Sequence, residues 1–276
     1  MRGGYLLFLA VFVLAGAWLD AAQAETVLEQ VARTGQLRAG TRTNAAPFGY
    51  INKAGAIDGY GVELMQLIQR RLQEKLGRTV TLDLRTVDTN NRLTTVAEGE
   101  VDIVCEAATI TPARLEKVNF SIPFFVSGAQ FLLKKAQRST FNVNGTLENL
   151  PIAYVPGTTT SDIIPKIYPL ARWLAVENRI VGIQKLNQGQ VKAVVSDGIL
   201  LLGELVNEGN SPRNYALTPS QPMTTELYGC ILPKLDQDWK QFVDQAIASE
   251  ENHNLQSRWF NEEGSEFPNI VRTDSR

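Results

Sequence analysis

Residues 96–104 read VAEGEVDIV, and residues 186–194 read LNQGQVKAV. Each stretch has the pattern of a helix end, a glycine, a polar residue and an apolar strand, and the two begin 90 residues apart. Glycine commonly ends a helix because it adopts the left-handed backbone conformation without a steric penalty. Any helix–glycine–strand unit has this form. The pair therefore indicates either ordinary local structure or two similar lobes, one for each copy.

Helices and strands alternate on both sides of these stretches. Helices are predicted at residues 25–33, 91–98 and 198–207, from about residue 161, and around Leu64, Ile68, Leu72 and Leu76, whose spacing of four is helical. Strands are predicted at residues 36–41, 80–84, 101–105, 152–155 and 191–195. This alternation predicts an α/β chain with largely parallel sheets. Ligands of such sheets bind at the carboxyl ends of strands, which directs attention to residues 105–109 and 196–197.

The composition excludes several classes of function. The chain has 276 residues, 44% of them hydrophobic, which suits one large or two medium domains. Its 27 basic and 29 acidic residues give a net charge of −2, so it has no basic excess for binding nucleic acid. The single histidine, His253, excludes a His-rich metal site. The sequence also contains no nucleophile elbow and no dinucleotide-binding fingerprint.

The N-terminus has the three regions of a secretory signal peptide. Arg2 is followed by an apolar run at residues 5–18, and Ala22 and Ala24 form a small-x-small cleavage site. The alternative, an uncleaved anchor, would need about 20 apolar residues. We therefore predict a signal peptide at residues 1–24 and an exported mature chain. In an exported protein the two cysteines, Cys105 and Cys230, suggest a disulfide, and the alternative is two buried free thiols.

Three polar features follow predicted strands. Arg114 lies on the first turn of a helix that Pro112 begins, where its guanidinium could bind a carboxylate, although a single arginine is more often a solvated surface residue. Asp197 is either an ordinary helix N-cap or a counter-ion for an ammonium group. Residues 156–160, PGTTT, form either a plain cap or an anion-binding helix N-terminus, and they lack the lysine and second glycine of a nucleotide P-loop.

Taken together, these residues resemble the family 3 extracellular solute-binding proteins of ABC amino-acid importers. The resemblance runs from about residue 27 to 260 and rests on residues 59–64 (GYGVEL), 99–104 and 109–121, although Gly61 replaces the usual acidic residue. Within the family, the chain is most similar to the periplasmic glutamate/aspartate-binding branch. The matching positions are Thr89, Asn91, Arg92, Cys105, residues 157–159, Asp197 and residues 228–230.

The resemblance implies a two-lobed periplasmic binding protein fold of type II, with two hinge strands between the lobes. The first lobe would comprise residues 25–134 and 228–276, and the second residues 135–227. An acidic amino acid would bind in the cleft, and both lobes would close on it. The family further implies a periplasmic, monomeric protein with no cofactor and no metal, which delivers its ligand to an ABC permease in the inner membrane.

The resemblance also assigns roles to residues. Arg42 and Arg92, with Thr89, would face the side-chain carboxylate of the ligand. Arg114 would hold the α-carboxylate, and Asp197 would pair with the α-ammonium. Where the branch has a serine, this chain has Ala107, whose carbonyl alone could assist. The expected ligand set is Arg42, Thr89, Arg92, Ala107, Thr109, Arg114, Thr158, Thr159 and Asp197, with a disulfide between Cys105 and Cys230. A second-lobe histidine of the branch is missing, and Arg179 lies nearest its position.

Two alternatives to an acidic amino-acid binder are retained. One is a broad or neutral, glutamine-type binder. The other is a cyclohexadienyl dehydratase-like enzyme on the same fold, which would need a general acid in the cleft. Glu106 is the one acidic residue that we place near the cleft for that role, and it is otherwise expected to be a surface or hinge charge. We expect binding and not catalysis.

Overall fold

A computed structural model of the protein describes residues 25–260. The predicted signal peptide, residues 1–24, lies outside the described residues, as do residues 261–276. The strands are β1 (Gln36–Thr41), β2 (Asn44–Ala45), β3 (Gly49–Ile51), β4 (Ile57–Asp58), β5 (Thr81–Thr86), β6 (Ile103–Val104), β7 (Asn119–Phe120), β8 (Phe125–Ser127), β9 (Ala129–Lys134), β10 (Pro151–Tyr154), β11 (Arg172–Ala175), β12 (Ala193–Asp197), β13 (Tyr215–Thr218), β14 (Glu226–Tyr228) and β15 (Ile231–Leu232). The α-helices are α1 (Val27–Thr34), α2 (Tyr60–Leu76), α3 (Arg92–Ala97), α4 (Pro112–Leu115), α5 (Thr159–Ile167), α6 (Arg179–Asn187), α7 (Gly198–Asn207), α8 (Gln237–Ile247) and α9 (Glu250–Phe260).

Two five-stranded sheets form two lobes. The first has the order β5-β1-β6-β15-β7 and the second β11-β10-β12-β9-β13. In each sheet three neighbouring strands are parallel, as predicted, and two more are antiparallel. The antiparallel strands are those through which the chain crosses between the lobes and returns. Strands β8 and β14 form a separate antiparallel pair at this crossing. They are the two expected hinge strands.

The two repeated stretches occupy equivalent places. Strand β6 is central in the first sheet and β12 is central in the second. Gly99 and Gly189 precede them with φ values of 72° and 74°, the left-handed conformation expected of a glycine that ends a helix. The repeat therefore reflects two similar α/β lobes. Strand β6 is shorter than predicted, because only Ile103 and Val104 of residues 101–105 make strand pairings.

The pairing of β9 bears on the lobe boundary. This strand lies between β12 and β13 in the second sheet, whereas the sequence analysis expected residues up to 134 to belong to the first lobe. We therefore propose that the second lobe begins at about residue 129, directly after β8. The expectation differed because the apolar run of β9 contains no local signal for the sheet that it joins.

Each lobe has its own apolar core. In the first lobe, α2 and α8 cover the sheet, and the indole Nε1 of Trp239 in α8 donates to the Asp102 carbonyl at 2.9 Å. In the second lobe, buried residues pack on both faces of the sheet. Within residues 25–260, no helix is both long and apolar enough to cross a bilayer. The same residues contain no cluster of three or more His, Cys, Asp or Glu side chains arranged to hold a metal ion.

Candidate functional site

A disulfide joins Cys105, directly after β6, to Cys230, directly before β15. Both residues are buried. Because neither cysteine is a free thiol, the predicted bond is confirmed and the alternative of two free thiols is wrong. The segment after Cys105 carries Ala107 and Thr109 to the edge of the first lobe. Gly61 of α2 packs against this segment, and a Cβ atom there would lie 2.0 Å from the Cys105 carbonyl oxygen. This contact explains why a larger residue does not fit at position 61.

A small polar cavity of about 20 Å³ lies where the carboxyl ends of β6 and β12 face each other. Its lining residues are Arg42, Arg92, Ala107, Thr109, Arg114, Thr158, Thr159, Thr160, Arg179, Ser196, Asp197 and Leu200. The fold thus brings eight of the nine expected ligand residues together. Thr89 is the exception: it lies beside Gly157 at the edge of the cleft, where a Cβ atom on Gly157 would be 4.0 Å from its Cγ2.

Four lining residues had no assigned role in the sequence analysis. Thr160 continues the threonine run of residues 156–160, and Ser196 precedes Asp197 at the end of β12, so their positions after strands were a usable signal. Leu200 is apolar and carried no such signal. Arg179 begins α6, and its place in the cavity depends on how the second lobe meets the first.

The two lobes are closed against each other. The amide of Ala46 in the first lobe donates to Oε1 of Glu204 in α7 at 3.2 Å. Nη2 of Arg179 donates to the Asn44 carbonyl at 3.2 Å. A Cβ atom on Gly203 would lie 2.2 Å from the Ala46 carbonyl oxygen, so α7 sits directly on the first lobe. Because a cavity of this volume holds one or two water molecules, an amino acid can enter only when the lobes move apart.

Glu106 has a role that the sequence analysis did not assign. It was expected to be a surface or hinge charge, or the acid of an enzyme, but it is fully buried. Its Oε1 accepts from Nη1 of Arg92 at 2.7 Å, and its Oε2 lies 3.6 Å from Nε of Arg42. Two buried guanidinium groups thus share one carboxylate, since a buried charge without a partner would be costly. Glu106 is not among the cavity-lining residues.

Arg42 and Arg114 remain cationic in their buried setting. Burial lowers the pKa of Arg42 to about 9 and that of Arg114 to about 10, in both cases with neighbouring arginine charges acting in the same direction. Both groups are therefore still charged at neutral pH. Thr111 caps the helix that carries Arg114, and Nη1 of Arg114 donates to the Thr109 carbonyl at 2.8 Å. These contacts aim the Arg114 guanidinium into the cavity.

Asp197 lies at the N-cap position of α7 but accepts no backbone cap hydrogen bond from that helix. Its Oδ1 accepts from the hydroxyl of Thr160 at 3.2 Å, and its Oδ2 accepts from the phenol of Tyr228. Burial raises the pKa of Asp197 to about 6, against the opposing effect of the Tyr228 hydrogen bond. The plain-cap alternative is therefore wrong, and the carboxylate is held at the wall of the cavity.

The N-terminus of α5 is a conventional cap. Thr158 accepts from the Ser161 amide at 3.1 Å and forms a capping box with it, so the plain-cap alternative holds for this side chain. The hydroxyl of Thr159 donates to Oε2 of Glu226 in the hinge strand β14 at 2.8 Å. Glu226 is buried, and the sequence analysis gave it no role. The threonines thus connect the cavity to the hinge.

Comparison with known proteins agrees with this architecture. The family model of bacterial extracellular solute-binding proteins, family 3, matches residues 37–262. A glutamate/aspartate import solute-binding protein of Salmonella typhimurium is 25% identical over 258 residues, which cover 90% of this chain and 82% of the relative. The ABC transporter glutamine-binding protein of Bacillus subtilis is 29% identical over 196 residues, covering 71% and 68%.

Solved structures show the same fold. ArgBP from T. maritima superimposes with a TM-score of 0.73 at 22% identity, covering 84% of this chain and 98% of that one. An ancestral amino acid-binding protein, described as a precursor of cyclohexadienyl dehydratase, gives the same TM-score, identity and coverage. With two lobes, two hinge strands, a polar cavity between them and a family match over most of its length, this chain belongs to the family 3 bacterial extracellular solute-binding proteins.

Proposed function

We propose that this protein is the binding component of an ABC importer and captures an acidic L-amino acid, glutamate or aspartate, between its lobes. It would work in the periplasm as a monomer after loss of residues 1–24, and it would deliver the ligand to a permease in the inner membrane. One observation carries the ligand class: four arginines line a single cavity whose lining contains one carboxylate, that of Asp197.

The groups of an amino acid match the polar residues of the cavity. Asp197 would pair with the α-ammonium, and Arg114 would hold the α-carboxylate, with the hydroxyls of Thr109, Thr158 and Thr159 nearby. The Ala107 carbonyl already accepts from Nη1 of Arg92 at 3.2 Å, and its second lone pair is available to an ammonium group. These contacts come from both lobes, so a bound amino acid would favour the closed form.

Charge counting supports an anionic side chain. The lining has a cationic excess of three, which Glu106 behind it reduces to two. Two further buried carboxyls, Glu204 and Glu226, lie outside the lining and act electrostatically on Arg179 and Arg114. A neutral zwitterion such as glutamine would leave at least one more guanidinium desolvated without a carboxylate than glutamate would. The second carboxylate of glutamate or aspartate can accept charge-assisted hydrogen bonds in its place.

Glutamine is the second candidate ligand. Glu106 accepts from Arg92 and forms an ion pair with Arg42 at 3.6 Å, which weakens the expected assignment of these arginines to a side-chain carboxylate. Relatives named as glutamine-binding and cystine-binding proteins also match most of this chain. The dehydratase alternative loses its acid, because Glu106 is held in ion pairs outside the cavity lining.

Calorimetry on the refolded protein tests this proposal. The protein is first unfolded and refolded to remove any co-purified ligand, and is then titrated with glutamate, aspartate, glutamine, asparagine, arginine and cystine. Each charge-assisted hydrogen bond is worth roughly 1.5–3 kcal/mol, so glutamate should bind about tenfold to a few thousandfold more tightly than glutamine. Equal affinities for the two would refute the acidic ligand class and indicate a broad amino-acid binder.

A further inference from the structure

We infer that Arg179 of the second lobe, and not the pair of Arg42 and Arg92, receives the side-chain carboxylate of the ligand, so that selectivity for acidic ligands arises when the lobes close. This inference rests on the proposed function and adds a specificity-determining residue to it. Two observations carry it: the occupied state of Arg42 and Arg92, and the unpaired state of Arg179.

Arg42 and Arg92 already have an internal anion. Glu106 contacts both guanidinium groups, at 2.7 Å from Nη1 of Arg92 and 3.6 Å from Nε of Arg42. Nη2 of Arg42 also donates to the side-chain carbonyl of Asn44 at 2.8 Å. A ligand carboxylate at this place would have to share these two cations with a fixed carboxylate and would meet its repulsion.

Arg179 has no such partner. It is 1% exposed and lines the cavity, and no carboxylate among residues 25–260 forms an ion pair with it within 4.0 Å. Its Nη2 donates to the neutral Asn44 carbonyl, and its Nε, like the Nε atoms of Arg42 and Arg92, has no hydrogen-bond partner in the described part of the chain. Its position is defined, because Asn178 caps α6 through the Val181 amide at 3.0 Å. A buried guanidinium with unused donors at a cavity wall calls for an anion.

The two acidic groups whose pKa Arg179 affects form no ion pair with it within 4.0 Å among the described residues, although Oε2 of Glu204 has no hydrogen-bond partner there. Glu204 accepts from the Ala46 amide, and Asp197 accepts from Thr160 and Tyr228. The positive charge of Arg179 lowers the pKa of both carboxyls, although burial has the larger effect and raises it. Asp197 is also the expected partner of the ligand ammonium, so a bound amino acid would leave Arg179 to the side-chain carboxylate.

The location of Arg179 implies that the ligand binds first and that acidic ligands are selected only when the lobes close. Arg114 and Thr109 belong to the first lobe and can hold the amino-acid backbone before closure. Arg179 reaches across the lobe interface to Asn44, so it is offered to the ligand only in the closed form. Neutral and acidic amino acids would therefore both enter the open cleft, and an acidic side chain would stabilise closure.

The test compares glutamate and glutamine binding by calorimetry in wild type and Arg179→Met. The variant should lose about tenfold to a hundredfold in glutamate affinity and keep its glutamine affinity within about twofold. Arg179→Lys, which keeps the charge without the planar fork, should fall between the two. Arg172→Met, which removes an exposed arginine from β11 of the same lobe, is the matched control and should retain wild-type binding. Thermal unfolding of each unliganded variant shows that it is folded.

A second variant separates the two arginine assignments. In Arg42→Met/Arg92→Met/Glu106→Gln both arginines are removed together with the carboxylate that they share, which lowers the net positive charge of the site by one. The inference predicts that this protein still prefers glutamate by a ratio close to that of wild type. Loss of the preference there, or its retention in Arg179→Met, would overturn the inference and leave the proposed function intact. A wild-type protein without any preference for acidic ligands would overturn both the Arg179 inference and the proposed ligand class.

Discussion

The phenol of Tyr228, in the hinge strand β14, donates a hydrogen bond to Oδ2 of Asp197 at the start of α7. Both residues are buried, and the hydroxyl of Thr160 donates to the other carboxylate oxygen. The hinge therefore contacts the same carboxylate that we assign to the ligand ammonium. This contact fixes the Asp197 side chain when the lobes are closed and connects ligand binding to the position of the hinge.

Removing the Asp197 carboxylate should weaken ligand binding strongly. An ammonium buried in a closed cleft without a counter-charge is costly, so Asp197→Ala should weaken glutamate binding by about 2–5 kcal/mol. Tyr228→Phe removes one hydrogen bond to the same carboxylate and should cost less, about 1 kcal/mol. Calorimetry gives both values. Unchanged affinity in Asp197→Ala would show that this side chain does not contact the ligand.

Binding should weaken in mild acid. Burial raises the pKa of Asp197 from 3.8 to about 6, and the ligand ammonium pairs with the ionised form. Below pH 6 the carboxyl must lose a proton before it binds, so affinity should fall about tenfold for each pH unit. The stability of the unliganded protein should change in the opposite direction. The raised pKa of Asp197 favours the folded state as the pH decreases from 6 towards 3.8. Titrations between pH 5 and 8 should show this dependence in wild type and its loss in Asp197→Asn.

A methyl group on Gly203 should obstruct closure. Its Cβ atom would lie 2.2 Å from the Ala46 carbonyl oxygen of the first lobe, which is closer than non-bonded atoms approach. Alanine favours the helix interior over glycine by roughly 0.5–1 kcal/mol, so α7 itself should not weaken. We expect Gly203→Ala to reduce glutamate affinity by about tenfold or more through loss of the closed form. Asn207→Ala in the same helix is the control, and a Gly203→Ala protein that binds like wild type would contradict the closed arrangement.

The disulfide should contribute strongly to stability. It closes a loop across a sequence separation of 125 residues, for which the chain-entropy model gives about 4–5 kcal/mol as an upper figure. The double variant Cys105→Ser/Cys230→Ser should unfold at a lower denaturant concentration than wild type, and the reductant should shift only the wild-type curve. Two free thiols titrated in the unfolded, unreduced protein would show that the bond does not form in solution.

Local chemistry in the sequence determined the elements of this fold. Gly35 and Gly77 end helices in the left-handed conformation, and β1 and α7 have the predicted bounds, because capping, glycine and apolar periodicity act within a few residues. The sequence also directed attention to residues 105–109 and 196–197, since ligands of such sheets bind at the carboxyl ends of strands, and residues of both stretches line the cavity.

The charges of the site were decided only by tertiary structure. Glu106 is separated from Arg42 by 64 residues of chain, and Arg179 reaches an oxygen of Asn44 from 135 residues away. Whether a charged side chain is buried, and which counter-ion it meets, depends on the packing of distant elements, for which the local sequence contains no signal. The membership of β9 in the second sheet has the same cause. The sequence by itself therefore determined the two lobes and most residues of the cavity. The closed packing of those lobes decided which arginines pair with a carboxylate of the protein and which have none.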